Sequence, residues 1–342
     1  MPITTAFKTE IPRISILDEH GNFDEKLGKG LIPDADLIKL YEAMFTCRRL
    51  DDVAFRLQRS GRMGTYPQNM GQEATSLGAA YALDKKDWLV TCYRENCGLF
   101  WRGVPMEAIL LHWMGDERGN AMPRPHFATP IAVPIGTQML HATGLAWASK
   151  YRGEKQIACT FFGDGAMNEG AFHEAANLAA IWQLPMILFC ENNKYGMSSS
   201  TEKAFAIDNL ADRGKGYGIP GVNVDGNDVV AVYEVAQAAV DRAKAGDGPT
   251  LIIAETYRWK GHSRSDKNLY RTKEEIEEWR TKDPIPKFIA RAIEAGLLTQ
   301  EQCDAIQNEA IEAIKAAVNE AVKAESAEPS GLLDAVFKVV SA

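Results

Sequence analysis

No stretch of the sequence approaches the roughly eighteen consecutive apolar residues that a membrane helix needs, and no long basic run occurs in it. With a net charge of −8, the chain is poorly suited to nucleic acid or to an anionic membrane surface. Its first residues, MPITTAFKTEIPR, lack the apolar core of a signal peptide and carry Glu10. A cytoplasmic location is therefore expected, or the mitochondrial matrix if a presequence has been removed. Cysteine is sparse: six residues, with no CxxC pair and no histidine at metal spacing. Cys159 and Cys190 lie inside apolar runs, so reduced core thiols are expected rather than disulfides. No period of 20 to 50 residues recurs, which excludes a repeat architecture.

What is present is apolar material in short blocks, 46% of 342 residues, enough for a large core. Residues 1–33 read as an extended arm. From Asp34 to about Ser60, Leu37, Leu40, Tyr41, Met44, Leu50, Val53 and Leu57 follow a helical period that Gly61 ends. Four near-continuous apolar runs then read as strands: 88–92, 156–162, 185–190 and 250–255. Helical patterns lie between them, around 136–152, 169–182 and 228–245. Strand–helix–strand alternation predicts an α/β fold, a parallel sheet with helices on both faces, over 34–275. After Thr272 the pattern turns helical, with a capping-box spacing from Thr272 to Glu275. An Ala-, Glu- and Lys-rich segment follows, with Ile306, Ala310, Ile314, Ala317, Val318 and Ala321 on one face. Residues 276–342 are expected to form a helical extension, solvated on its own domain or packed on a partner.

The chemistry is concentrated in GDGAMNEGAFHEAANLAAIWQLPMILFCENNKYGM. Gly163-Asp164-Gly165 directly follows a predicted strand, and Asn168 suits the N-cap of the next helix. That helix runs out about 21 Å at 1.5 Å per residue. The strand after Pro185 runs back about 20 Å at 3.3 Å per residue. Asn192 and Asn193 thus return to the sheet edge that holds Asp164, the edge at which open α/β sheets bind ligands. A carboxylate, neutral amide oxygens and a helix N-terminus with free N–H groups suit Mg²⁺ carrying a diphosphate.

GDG followed by 26 residues and NN resembles the motif of thiamine diphosphate-dependent enzymes. The wider sequence resembles the alpha subunit of the decarboxylating component of 2-oxo acid dehydrogenase complexes, pyruvate dehydrogenase type first. The blocks that carry it include DEHGNFDEKLGKG, GRMGTYPQNMGQEA, CYRENCGLFWRG, PIGTQ, GIPGVNVDGND, GPTLIIAETYRWKGHSRSD and YRTKEEIEEW. This resemblance implies that Asp164, Asn193 and the main-chain carbonyl of Tyr195 bind magnesium. The N–H groups of Gly165 and Ala166, behind Gly163, would face a phosphate, and Tyr93 and Arg94 would contact the diphosphate. Ile135, before Gly136, would support the bent cofactor. His262, heading the polar loop after the last strand, would orient the 2-oxo acid or assist acyl transfer. Glu174 resembles a buried acid that links neighbouring cofactor sites in some relatives, whereas a second acid found beside it there is Ala171 here.

The same resemblance implies a beta subunit, in an assembly with two copies of each chain, which supplies the glutamate that activates the cofactor. It also implies a lipoyl-bearing acyltransferase core that receives the acyl group. The chain departs from some relatives in having Tyr66-Pro67 where they carry a histidine, and KNLYRT where animal relatives have a longer, phosphorylated loop. Ser263 aligns with another such phosphorylation position and is read as an unmodified loop residue. Pyruvate is the first expected substrate, then a branched-chain 2-oxo acid, then acetoin. A nucleotide-dependent dehydrogenase would need GxGxxG after a strand, and LGKGLIP and RGKGYGIPG lack that setting. A non-catalytic interaction subunit would have no need of Asp164, Asn193, Arg94 and His262 together. The GHSRSD loop favours the 2-oxo acid complexes over a transketolase-like half-enzyme.

Overall fold

The computed structural model describes residues 11–120, 126–263, 265–325 and 328. The expected arm before residue 11 and the expected helix after residue 328 lie outside the described residues.

The strands are β1 (Arg13–Ile14), β2 (Trp88–Val90), β3 (Ala158–Gly163), β4 (Met186–Asn192), β5 (Tyr195–Gly196), β6 (Ser199–Ser200), β7 (Gly221–Asp225) and β8 (Thr250–Glu255). The first helices are α1 (Glu25–Gly28), α2 (Asp34–Arg59), α3 (Glu73–Ala82), α4 (Asn96–Trp101) and α5 (Met106–Met114). Then come α6 (Thr137–Arg152), α7 (Gly170–Ile181), α8 (Thr201–Ala204), α9 (Arg213–Tyr217) and α10 (Val229–Ala245). The chain closes on α11 (Lys273–Thr281), α12 (Pro284–Glu294) and α13 (Gln300–Lys323).

Six strands form one sheet in the order β1-β7-β8-β4-β3-β2, every neighbouring pair parallel. The central strand runs β3, β4 and β8 are nearly continuously apolar because alternate residues enter different cores. Phe161, Ile187, Phe189 and Ile252 pack on one face with α2, α3 and α10. Phe162, Leu188, Cys190 and Ile253 pack on the other with α6 and α7. All six cysteines are free and buried.

Three expectations are refined. The arm is not merely extended: Arg13 and Ile14 pair with Asn223 and Val224 at the sheet edge. The Asp228 carboxylate holds it there, accepting from the N–H groups of Ile16 (2.7 Å) and Leu17 (2.6 Å) while capping α10. Strand β7 escaped sequence reading because GVNVD mixes polar and apolar residues. Asn168 does not cap α7; it lies in a 3-10 turn over Asp164–Asn168, and Glu169 precedes the helix.

The C-terminal helices share the main core. Ile285, Phe288, Cys303 and Ile314 belong to the same cluster as α2, and α13 packs on α2 and α5. Thr272 caps α11 by accepting from the Glu275 N–H, but the Glu275 carboxylate accepts from Tyr195 and Tyr257 instead of closing a reciprocal box. The full capping box is Thr299 with Gln302, at α13.

One charged junction ties these layers. The Arg48 guanidinium on α2 donates to Glu73 at the start of α3 and to Asp283 before α12, and stacks over Trp259 at 4.3 Å. Its partners' side chains are only 1% and 14% exposed, so losing the cation strands two carboxylates. Arg48→Ala should destabilise the chain by about 3–5 kcal/mol, measurable by urea unfolding.

Candidate active site

Parallel register brings the site together. Gly163 pairs with Glu191, and Asn192 pairs with Glu255. Residues that follow β3, β4 and β8 therefore emerge side by side, with the turn after β2 next in line. Between them lies a cavity of about 270 Å³. Its lining includes Tyr93, Arg94, Ile135, Gly163, Asp164, Gly165, Ala166, Asn193, Tyr195 and His262. Of the site residues expected from sequence, only Gly136 is absent from the wall. It stands just behind, in the left-handed region (φ 85°) at the start of α6, which turns Ile135 outward to the mouth.

Asp164 dominates the cavity. It is 1% exposed, and neither carboxylate oxygen has a hydrogen-bond partner among the described residues. Burial pushes its carboxyl up to about 6, against the nearby main-chain N–H groups of Asp164 and Asn193 and the fields of Lys194 and Arg258. A buried, unsatisfied carboxylate is costly unless something fills it. Asn193 lies beside it, 6% exposed, with its amide nitrogen committed to Gln72 Oε1 at 3.1 Å. Its amide oxygen is left on the other side. The chain returns through Lys194 at φ 71°, a conformation rare for a side-chain-bearing residue. Gly165 and Gly196 then meet so closely that a Cβ on Gly165 would stand 3.1 Å from the Gly196 Cα. Oxygen donors of this kind fit a hard divalent cation.

Two arginines face the same space. Arg94 is buried, held by the carbonyls of Gln68 and His262, and stacks 5.2 Å from the Tyr93 ring. No carboxylate pairs with it among the described residues, so it is no surface salt bridge. Arg258 is 1% exposed; its Nη2 donates to the Met197 carbonyl (3.0 Å) and Tyr270 (3.2 Å), and its Nη1 has no partner among the described residues. Such guanidinium groups suit phosphate oxygens.

His262 is half-buried, and burial, then Arg94 and Arg258, lower its pKa to about 4. The ring is therefore neutral at neutral pH. Nδ1 lies 3.5 Å from Arg94 Nη2. Because arginine only donates, Nδ1 accepts and Nε2 carries the proton. The Tyr195 hydroxyl is committed to Glu275 at 2.9 and 3.0 Å. Arg264, in the His262 loop, lies outside the described residues.

Other sequence expectations separate from the cavity. Tyr66 is buried, donating to Asp51 (2.7 Å) and accepting from Asn96 (2.9 Å), so it serves the packing of α2 against α4. Glu174 is exposed on the outer side of α7 in the isolated chain. Among the wall and support residues that received no role from sequence are Gln72, Glu95, Glu191 and Arg258. Burial raises Glu95 to about 7; burial, and then Glu95 itself, push Glu191 up as well. Arg258 had a readable signal, a charge four residues before His262 in a loop after a buried strand.

The model of the dehydrogenase E1 component family matches residues 41–330. The chain belongs to that family. It is 36% identical over 336 residues to "Pyruvate dehydrogenase E1 component subunit alpha" of Staphylococcus aureus, covering 97% of this chain and 90% of that one. The protein of the same name from Acholeplasma laidlawii is 39% identical over 296 residues, 86% of each chain. "3-methyl-2-oxobutanoate dehydrogenase subunit alpha" of Mycobacterium tuberculosis is 42% identical over 270 residues, 79% of this chain and 74% of that one. The matched span of this E1 component includes every wall residue named above.

The Asp164 environment has a stability consequence. In the metal-free E1 chain its pKa rises from 3.8 to about 6, so the folded state binds the proton more tightly and loses stability as pH climbs through that window. The penalty is complete at neutral pH, about 3 kcal/mol for a shift of this size. Asp164→Asn should therefore raise metal-free stability at pH 7.5 while abolishing divalent-cation binding; thermal unfolding with and without metal reads both.

Proposed function

We propose that this E1 chain is the alpha subunit of a thiamine diphosphate-dependent 2-oxo acid dehydrogenase acting on pyruvate, and that it holds the metal-diphosphate half of the site. The observation that carries this is the buried, unpartnered Asp164 carboxylate, beside the Asn193 amide oxygen and facing two arginines. Asp164, Asn193 and the Tyr195 main-chain carbonyl would hold Mg²⁺. Main-chain N–H groups of Gly165 and Ala166, with Arg94, Arg258 and Tyr93, would take the diphosphate. Ile135, turned out by Gly136, would support the cofactor's bend at the mouth.

When bound, thiamine diphosphate would supply the nucleophile and electron sink that decarboxylation of a 2-oxo acid requires. The protein's part is positioning. Neutral His262, protonated on Nε2, can donate a hydrogen bond to the substrate carboxylate or to the acyl group as it leaves for a lipoyl arm. Burial, and then the fields of Arg94 and Arg258, disfavour a third cation there and keep the ring neutral.

A beta subunit is proposed to complete the site, in an assembly with two copies of each chain, and a lipoyl-bearing acyltransferase to receive the product. The support is an apolar outer face on α6 and α7. Tyr151 is 80% exposed, Ile181 68% and Trp182 52%, and Trp147 meets Trp182 edge-on at 6.5 Å. Leu140 and Leu178 extend this face, while Val133 and Ile135 carry exposed apolar surface to the cavity mouth. Large exposed apolar patches mark binding surfaces. Glu174 lies on the same side and would become buried only beneath a partner. No helix among the described residues is long and apolar enough to cross a membrane.

The Mycobacterium tuberculosis relative, at 42% identity, favours a second reading in which the substrate is a branched-chain 2-oxo acid. The test is decarboxylation of a 2-oxo acid panel by the chain alone and after co-expression with its beta-type partner. Turnover is expected only for the pair, with pyruvate fastest; robust turnover by the lone chain would refute the reading. Separately, Ile181→Glu with Trp182→Glu should leave the lone chain folded by circular dichroism. It should abolish co-purification of the partner.

A further inference from the structure

We propose that Gln72 is a positioning residue for the metal site, orienting the Asn193 side chain so that its oxygen, not its nitrogen, faces the space beside Asp164. The inference rests on the metal-diphosphate reading above, and it assigns a task to a residue in a different part of the chain, at the entrance to α3.

An asparagine amide has a donor end and an acceptor end of nearly the same shape, and only its partners decide which way it lies. For a cation ligand the difference is decisive, because the wrong end presents N–H groups to a positive charge. Asn193 Nδ2 donates to Gln72 Oε1 at 3.1 Å. Gln72 is itself an amide with two ends, and its own orientation is held from the far side, where Nε2 donates to Glu191 Oε2 at 3.4 Å. Glu191 is held in turn by the Thr75 hydroxyl, which donates to its other oxygen. The order of ends thus runs from the accepting Oε2 of Glu191, through the glutamine, to the asparagine. Meanwhile the Asn193 oxygen accepts from the Tyr195 N–H at 3.3 Å, on the turn that also carries the third expected metal ligand.

Burial makes this order enforceable. Gln72 is 1% exposed, Glu191 2% and Asn193 6%, so water cannot replace a lost partner. The Gln72 main chain is fixed as well, its N–H donating to the Asn69 carbonyl at 2.9 Å and its carbonyl accepting from the Thr75 N–H at 3.2 Å. Rotating the Asn193 amide would set its oxygen against the Gln72 oxygen.

The test uses Mn²⁺ as probe, titrated in the presence of thiamine diphosphate into the purified alpha–beta assembly and read by electron paramagnetic resonance. Gln72→Met, of similar length but without polar ends, should weaken Mn²⁺ binding by about 10- to 100-fold. The same substitution in an Asn193→Asp background should cause no further loss, because a carboxylate offers oxygen whichever way it lies. Unchanged Mn²⁺ affinity in Gln72→Met would overturn the inference while leaving the metal-diphosphate reading intact. So would an equal loss in both backgrounds, the signature of a merely structural disturbance of α3. Loss of all binding from Asn193→Asp alone would also count against it. Failure of the unsubstituted assembly to take up Mn²⁺ with thiamine diphosphate would overturn the functional reading itself, and this inference with it.

Discussion

The parallel pairing of β3 with β4, Gly163 against Glu191, is the constraint on which the site depends. A slip of one residue would turn every strand side chain to the opposite face. It would exchange the Phe161 and Phe162 cores and also separate Asp164 from Asn193. The cavity is thus secured by the same apolar burial that stabilises the sheet. This suits a site whose central residue is itself destabilising: an ionised carboxylate almost wholly removed from water, with no hydrogen-bond partner for either oxygen among the described residues. Strain of this kind persists where the surrounding structure over-determines it.

Around Asp164 the electrostatics are arranged in opposition. Arg94 and Arg258 are held largely by carbonyl and hydroxyl oxygens, which orient a guanidinium without cancelling its charge. Burial and then their field lower His262, while Arg258 favours ionised Asp164 against its burial. On the other side, Glu95 and Glu191 are pushed up by burial, and Glu191 by Glu95 as well. One wall of the cavity is therefore cationic and suited to phosphate oxygens, while Glu95 and Glu191 stand opposite it, Glu191 against the neutral amide of Gln72. Sites with such divergent environments assign separate roles to groups of similar intrinsic chemistry.

Much of this was legible in the sequence, and for a physical reason. The strand runs at 158–163, 186–192 and 250–255 are mostly apolar, with few polar breaks, because both sheet faces are covered, which makes them easy to recognise. Asp164 and Asn193 were found because a strand-helix-strand excursion of matched lengths returns to its starting edge. What escaped were residues whose local context is ordinary. β7 reads as a polar segment, Gln72 as one more residue at a helix start, and Arg258 as a lone charge. Tyr66 drew attention by its neighbours in sequence, yet its hydroxyl is spent on Asp51 inside the core.

By itself the sequence determined the α/β class, the limits of the main helices and strands, and the pairing of an aspartate with a distant asparagine. Those follow from periodicity, from turn chemistry and from rise per residue, all of which are local quantities. The tertiary structure alone decided that the arm joins the sheet and that Arg258 enters the cavity. It also decided that Asp164 is stripped of partners and that Gln72 sets the Asn193 amide. These depend on which side chains meet across hundreds of residues and on how completely water is excluded between them, and neither is written in any local stretch of the chain.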